Sequence, residues 1–251
     1  MVMRKVLVFI PARLGSKRFP GKCMHKIGKF PLVCWTYVQA RMSGYVTMVV
    51  TPDIEISEDL SNGRRIPCLL TSHNPRNGSE RCAEAMANEI FDTMGDEDII
   101  IDVQGDMVKF EYGCIQDIVR LLSDGKAEYA TTFTKLSEGA CNNTNRVKCT
   151  VTSDDGNVLW VDNFSRCLIP DRENYLHIGI YGYTKKALNR YCEWKMTENE
   201  RATKLEQLRI LDNGYKIAGV VSDTIPVTVD CAEDVYWAEK EVRNLECFLP
   251  M

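Results

Sequence analysis

Twelve residues near the start, Pro11-Ala12-Arg13-Leu14-Gly15-Ser16-Lys17-Arg18-Phe19-Pro20-Gly21-Lys22, gather four cations and two glycines. Glycine lets a backbone close on a ligand with its N–H groups turned inward. Arginine offers a phosphate two parallel donors, and lysine offers a mobile point charge. The segment reads as an anion site; the plainer alternative is a solvated basic loop. A Walker A loop is excluded, because five residues rather than four separate Gly15 from Gly21 and Lys22 precedes Cys23 instead of Ser or Thr. No G-x-G-x-x-G occurs, so the dinucleotide fingerprint is also missing.

Two carboxylates stand where apolar runs end. Asp98-Ile99-Ile100-Ile101-Asp102-Val103 leads into Gln104-Gly105-Asp106, and Pro226-Val227-Thr228-Val229 leads into Asp230. A carboxylate at a strand's C-terminal end can reach a ligand, and a hard dication takes oxygen donors. Each Asp alone is as well explained by a turn or a helix cap. Together they form a coherent metal pair. Thr71-Ser72 closes another run, and Asn77-Gly78-Ser79-Glu80-Arg81 opens a helical pattern with Ser79 as its expected cap.

The elements that must position these groups alternate. Val6–Ile10, Thr47–Thr51, Pro67–Leu70 and Asp98–Val103 read as buried strands, while Leu32–Arg41 and Glu80–Phe91 carry apolar residues at three- and four-residue spacing. Such alternation implies a parallel sheet flanked by helices, with ligands at the carboxyl ends of the strands. From about Glu128 the pattern turns strand-rich: Tyr129–Leu136, Arg146–Val151, Asn157–Val161 and Ile178–Tyr183, with a turn at Asp154-Asp155-Gly156-Asn157. Helical spacing returns at Lys185–Trp194, Ala202–Leu211 and Ala232–Val242. The expectation is one α/β domain with a strand-rich portion inserted at about 137–178.

Composition removes several classes of function. With 251 residues, 45% hydrophobic and 26% charged, the chain has too much apolar content for disorder. A formal charge of −4, from 31 Lys+Arg against 35 Asp+Glu, lacks the basic footprint of a nucleic-acid binder. Eleven cysteines contain no C-x-x-C, and their odd, scattered distribution suits reduced core residues better than zinc or a disulfide framework. The first apolar run stops at Pro11, too early for a signal peptide, and no stretch approaches the ~18 apolar residues of a membrane span. A cytoplasmic protein with no membrane or nucleic-acid partner is expected.

The loop from Pro11 to Lys22 resembles P-A-R-x-x-S-x-R-x-P-G-K, the signature of sugar-activating nucleotidyltransferases. It is most similar to the cytidylyltransferases that activate 3-deoxy-manno-octulosonate (Kdo) and related acidic sugars. Motifs in the same order span roughly residues 5–240. Gln104-Gly105-Asp106 resembles the family's Q-G-D, and Val229-Asp230-Cys231-Ala232-Glu233-Asp234 its V-D-T-P-E-D. Thr71-Ser72 with Asn77–Arg81 resembles T-S and S-G-T-D-R. Phe164–Pro170, His177–Tyr183 and Leu205–Arg209 match F-S-R-x-x-I-P, H-x-G-I-Y-x-Y and L-E-Q-L-R. Met107-Val108 stands where the family has Glu-Pro, and Cys231-Ala232 where it has Thr-Pro.

The resemblance implies a three-layer, Rossmann-like mixed sheet of the nucleotide-diphospho-sugar transferase type, with the inserted lobe used for a homodimer. It implies CTP wrapped by Ala12, Arg13, Ser16 and Lys22, with Ser72, Arg81 and Gln104 completing the nucleotide site. Asp106 and Asp230 would ligate Mg2+. Gln104, Arg166, His177, Tyr181, Glu206 and Gln207 would contact the sugar. The implied reaction is attack of a sugar hydroxyl on the α-phosphate of CTP, with Arg13, Lys22, Asp106 and Asp230 as catalytic residues and pyrophosphate leaving. Two alternatives stay open: the same chemistry on another sugar or a sugar phosphate with CTP or UTP, suggested by Met107-Val108-Lys109, and a silent nucleotide-binding relative.

Overall fold

The computed structural model describes residues 4–16, 18–153 and 158–243. The turn expected at Asp154–Asn157 lies outside the described residues. In chain order the elements begin with β1 (Val6–Pro11), β2 (Lys26–Ile27), β3 (Phe30–Pro31), α1 (Leu32–Arg41), β4 (Val46–Thr51), α2 (Ile54–Glu58), β5 (Cys68–Leu70) and α3 (Gly78–Met86). They continue with β6 (Ile99–Val103), β7 (Met107–Lys109), α4 (Gly113–Ser123), β8 (Tyr129–Lys135), α5 (Glu138–Cys141), β9 (Lys148–Ser153) and β10 (Leu159–Ser165). The last are β11 (Tyr175–Thr184), α6 (Lys185–Glu193), α7 (Glu198–Thr203), α8 (Leu208–Asp212), β12 (Ile217–Val221), β13 (Val227–Thr228) and α9 (Asp234–Val242).

The chain divides into two compact units, and the division falls inside β6. One unit comprises Val6–Thr93, Ile101–Tyr112 and the chain from Pro226. Its strands run in the order β5-β4-β1-β6, with β1 parallel to β4 from Leu7 opposite Val46 onward and β4 parallel to β5. All five residues of β6 are buried, as a strand covered on both faces requires. Helix α1 is buried from Leu32 to Ala40, which makes it a core helix, and its polar atoms are satisfied: Trp35 Nε1 donates to Ile27 O at 3.0 Å and Thr36 Oγ1 to Met107 O at 2.8 Å. A short antiparallel pair, β7 with β13, carries α9.

The other unit comprises mainly Gly113–Ile225 with Met94–Ile100. Its strands run β11-β8-β12-β10-β9, and β9 also pairs β11 through Tyr175–Cys149 and Leu176–Lys148, so the run returns on itself. β8 and β12 are parallel and the remaining pairings antiparallel, giving the mixed character expected. β9 and β10, from the stretch expected as an insertion, are members of this sheet. Helix α4 and strand β12 were not expected. The helix expected over Ala202–Leu211 is broken: α7 ends at Thr203, Lys204 is left-handed at φ 59°, and α8 begins at Leu208.

Candidate functional site

The cationic loop leaves β1 and folds on itself. Leu14 O accepts from Ser16 N at 2.8 Å and Gly21 N at 2.9 Å. Gly21 adopts φ 68°, a conformation that favours glycine, and from there a single helical turn begins at Lys22. Ala12 N donates to Val50 O at 3.0 Å, and Leu14 N donates to the Asp53 carboxylate at 2.7 Å. The Arg13 side chain is exposed, and its carbonyl accepts from Cys23 Sγ at 3.3 Å. Burial pushes the Cys23 thiol up to about 11, so it packs as a neutral group.

Lys22, Asp106 and Asp230 meet. Lys22 Nζ lies 2.8 Å from Asp106 Oδ2 and 3.7 Å from Asp230 Oδ1, and Arg18 Nη2 lies 2.9 Å from the same Asp230 oxygen. Burial works against the Lys22 charge, but Asp106 and then Asp230 outweigh it and hold the lysine above its ordinary pKa. The cap position of α9 is Glu233, and ahead of it Asp234 Oδ2 accepts from the backbone N–H of both Asp230 (2.7 Å) and Cys231 (3.0 Å). Gly105 is required before Asp106: a Cβ there would stand 2.8 Å from the Pro11 carbonyl oxygen.

Ser72 and Arg81 meet as well. Arg81, almost fully buried, donates from Nη1 to Thr71 Oγ1 at 2.6 Å and to Ser72 O at 3.0 Å. Burial, and after it the like charge of Arg13, depress the Arg81 guanidinium. The Ser72 hydroxyl donates to Glu84 Oε2 at 2.8 Å, and its N–H also donates to Glu84. The expected cap is corrected: Asn77, not Ser79, accepts from Glu80 N at 2.9 Å, and Ser79 is buried inside α3 because the helix begins at Gly78. Gln104 Nε2 faces both oxygens of buried Asp102, at 3.1 and 3.3 Å. A Cβ on Gly78 would come within 2.7 Å of the Asp102 carboxylate and 2.6 Å of Gln104 Nε2, so a larger residue there would have to displace these two side chains.

Of the residues expected on the sugar, Gln104 belongs to the unit of the cationic loop, and Arg166, His177, Tyr181, Glu206 and Gln207 belong to the other. Arg166 donates to the carbonyls of Thr203 (2.8 Å), Thr144 (3.2 Å) and Lys204 (3.5 Å), which fixes the left-handed turn. In β11 the register slips between Ile178 and Tyr181. Four residues of regular strand span ~13 Å, yet the rings of His177 and Tyr181 are 5.4 Å apart, and Phe164 lies 5.1 Å from His177. His177 Nε2 is 2.9 Å from Thr131 Oγ1, whose single proton goes to Ile180 O. Nε2 therefore carries the imidazole proton. Burial pushes the His177 pKa down to about 3, so the ring is neutral. Tyr181 OH donates to Gln207 Oε1 at 3.4 Å. Glu206 and Gln207 sit in the turn between α7 and α8 rather than within a helix, because Lys204 has left the helical conformation.

Sequence reasoning missed Arg18 on Asp230, Asp53, Glu84 and Asp102. Asp53 follows a strand end, the same signal that marked Asp106, and Asp102 interrupts an apolar run. The donor set suits magnesium, which takes one or two carboxylates and completes its octahedron with phosphate and water. Two carboxylates already converge on one cationic nitrogen, and no group of three or more His, Cys, Asp or Glu able to hold a metal occurs among the described residues.

A mixed α/β fold whose strand ends bring a glycine-bearing cationic loop to two carboxylates suits a phosphate-bearing ligand and a divalent ion. A family model described as cytidylyltransferase matches residues 7–217. The 3-deoxy-manno-octulosonate cytidylyltransferase of Nitrobacter hamburgensis is 32% identical over 251 residues, covering 98% of this chain and 95% of its own. That of Photobacterium profundum is 34% identical over 243 residues, covering 91% and 95%. A solved CMP:2-keto-3-deoxy-manno-octonic acid synthetase complexed with CTP shares the fold at TM-score 0.82 and 24% identity, over 96% of this chain and 99% of that one. The chain belongs to the cytidylyltransferase family. No helix among the described residues is long and apolar enough to cross a membrane.

Proposed function

We propose that the protein transfers the cytidylyl group of CTP to the anomeric hydroxyl of Kdo, giving CMP-Kdo and pyrophosphate. The observation that carries this is the convergence of Lys22 with Asp106 and Asp230, in a chain whose curated relatives bear that activity in their names. The sugar oxygen bonds to the α-phosphorus, the bond to the bridging α–β oxygen breaks, and the hydroxyl proton passes to solvent. Arg13, Ser16 and Lys22 hold the phosphates and stabilise the departing pyrophosphate; positioning and charge supply most of the rate. Ala12, Ser72, Arg81 and Gln104 orient the nucleoside. Asp106 and Asp230 hold Mg2+, which when bound supplies Lewis-acid charge at the α-phosphate. His177, Tyr181, Glu206 and Gln207 contact the sugar, while Arg166 acts by shaping the turn that bears Glu206 and Gln207.

The acceptor is an unphosphorylated sugar acid. Lys109, the cation that suggested a sugar phosphate, is paired with Glu241 at 3.0 Å, and Met107 and Val108 are buried beside it. The proposal includes a single nucleotidyltransferase domain, a cytoplasmic location and a homodimer built on about 137–178; sedimentation at micromolar concentration checks the dimer. Pyrophosphate release across CTP and UTP, with Kdo and a panel of sugar phosphates, tests the reaction. Turnover of CTP with Kdo alone is expected. Turnover of a sugar phosphate without Kdo would overturn the acceptor, and CTP binding with no turnover of any acceptor would favour a silent relative.

A further inference from the structure

We propose that Lys22, assisted by Arg18, is a built-in counter-cation that keeps the Asp106–Asp230 pair from taking a metal ion until nucleotide arrives. The proposal rests on those two aspartates being the magnesium ligands. Lys22 Nζ sits 2.8 Å from one carboxylate and 3.7 Å from the other, and Arg18 Nη2 sits 2.9 Å from the second. A divalent ion seeking both carboxylates meets two positive charges already placed on them.

A triphosphate changes that balance, because it offers Lys22 and Arg18 other anions and brings the metal further oxygen ligands. Both cations belong to the loop that closes on Leu14 O through Ser16 and Gly21, so they lie on the segment proposed to wrap the phosphates. Lys22 therefore has two successive partners: carboxylates before nucleotide binds, and phosphate oxygens afterward. Each cation keeps an anionic partner at each stage, and metal binding is coupled to nucleotide binding. The carboxylates do not take metal without the substrate it is to act on.

Manganese, as a paramagnetic stand-in for magnesium, tests this by electron spin resonance of the free ion, with and without CTP. Without CTP, wild-type protein is expected to bind manganese weakly and Lys22→Met at least tenfold more tightly. Arg18→Met is expected to gain a smaller factor of two to three. Lys22→Met combined with Asp106→Asn should lose the gain. Lys22→Gln, of similar length and polar, serves as a second variant with the same expectation, and circular dichroism checks that both fold. Unchanged manganese affinity in both Lys22 variants, with CTP-dependent manganese binding still removed by Asp106→Asn, would overturn the counter-cation and leave the metal pair standing. CTP-dependent manganese binding that survives both Asp106→Asn and Asp230→Asn would overturn the metal pair and the counter-cation with it.

Discussion

The two candidate clusters, one in each unit, handle their polar groups in opposite ways. In the unit that carries the cationic loop, Lys22, Arg18, Asp106 and Asp230 come from far apart in the chain and meet side chain to side chain, as ionised groups. In the other, Arg166 gives its donors to backbone carbonyls, His177 is held neutral against Thr131, and Tyr181 turns to Gln207. The first arrangement suits a mobile, highly charged ligand, whose phosphates can replace one ionic partner with another. The second suits a hydroxyl-rich ligand of fixed shape, read by groups that are themselves already placed. Substitutions in the first should therefore act on turnover, and those in the second on acceptor binding or stability.

Asp106→Asn gives the largest expected effect. Loss of one transition-state contact of this kind costs about 2.7–4 kcal/mol, or roughly 10²–10³ in kcat, with KM for Kdo little changed. Steady-state pyrophosphate release reads both, and near-normal turnover would remove Asp106 from the catalytic set.

Gly105→Ala comes next. Its Cβ would press on the Pro11 carbonyl at 2.8 Å, and backbone cannot swing away as a side chain can. Overpacking of this kind costs about 1–3 kcal/mol, seen as a lower urea midpoint. Because Pro11 leads into Ala12 and Arg13, KM for CTP should rise as well. An unchanged midpoint would mean that the β1 and β6 ends are less tightly joined than the structure has them.

Arg166→Ala carries the comparison into the other unit. Hydrogen bonds from a charged donor are worth about 1.5–3 kcal/mol in the general case; spread over a half-exposed guanidinium, the loss should raise KM for Kdo about tenfold while KM for CTP stays fixed. Lysine should not restore it, since one ammonium cannot reach the carbonyls of Thr203, Thr144 and Lys204 together. A rise confined to the KM for CTP would break the division of labour between the units.

How much of this was legible beforehand follows the range of the interactions. Helix α1 matches its expected bounds, Leu32–Arg41, residue for residue, because burial and helical spacing are local signals. Helix α4 carries the same local signal, with Cys114, Ile115, Ile118, Val119 and Leu122 buried on one face. The break at Lys204 could not be read: nothing in Ala202–Leu211 favours a left-handed residue, and carbonyl bonds from Arg166, 37 and 38 positions away, accompany it. The same holds at the candidate site. Strand-end position pointed to Asp106 and Asp230, but the contact of Asp53 with Leu14, 39 positions away, exists only in three dimensions.

The smallest expected effect separates the units by pH. His177 titrates near 3 in the folded protein because burial penalises its charged form, whereas an unfolded histidine titrates near 6.5. Between those values the unfolded chain binds the extra proton, so this group's contribution is intact above about pH 6.5 and falls as pH is lowered toward 3. The limit is about 1.4 kcal/mol per pH unit, reduced by whatever water reaches the half-buried ring. Urea unfolding at pH 7 and pH 5 should show wild-type protein losing stability across that interval, and His177→Gln losing less. The Gln side chain keeps a donor for Thr131 without a titrating nitrogen, so the comparison isolates the proton. CTP affinity of the two proteins should follow the same pH dependence, since the loop, Asp106 and Asp230 lie in the unit that His177 does not belong to. An equal loss of stability in both proteins would place the acid-sensitive step elsewhere than at His177.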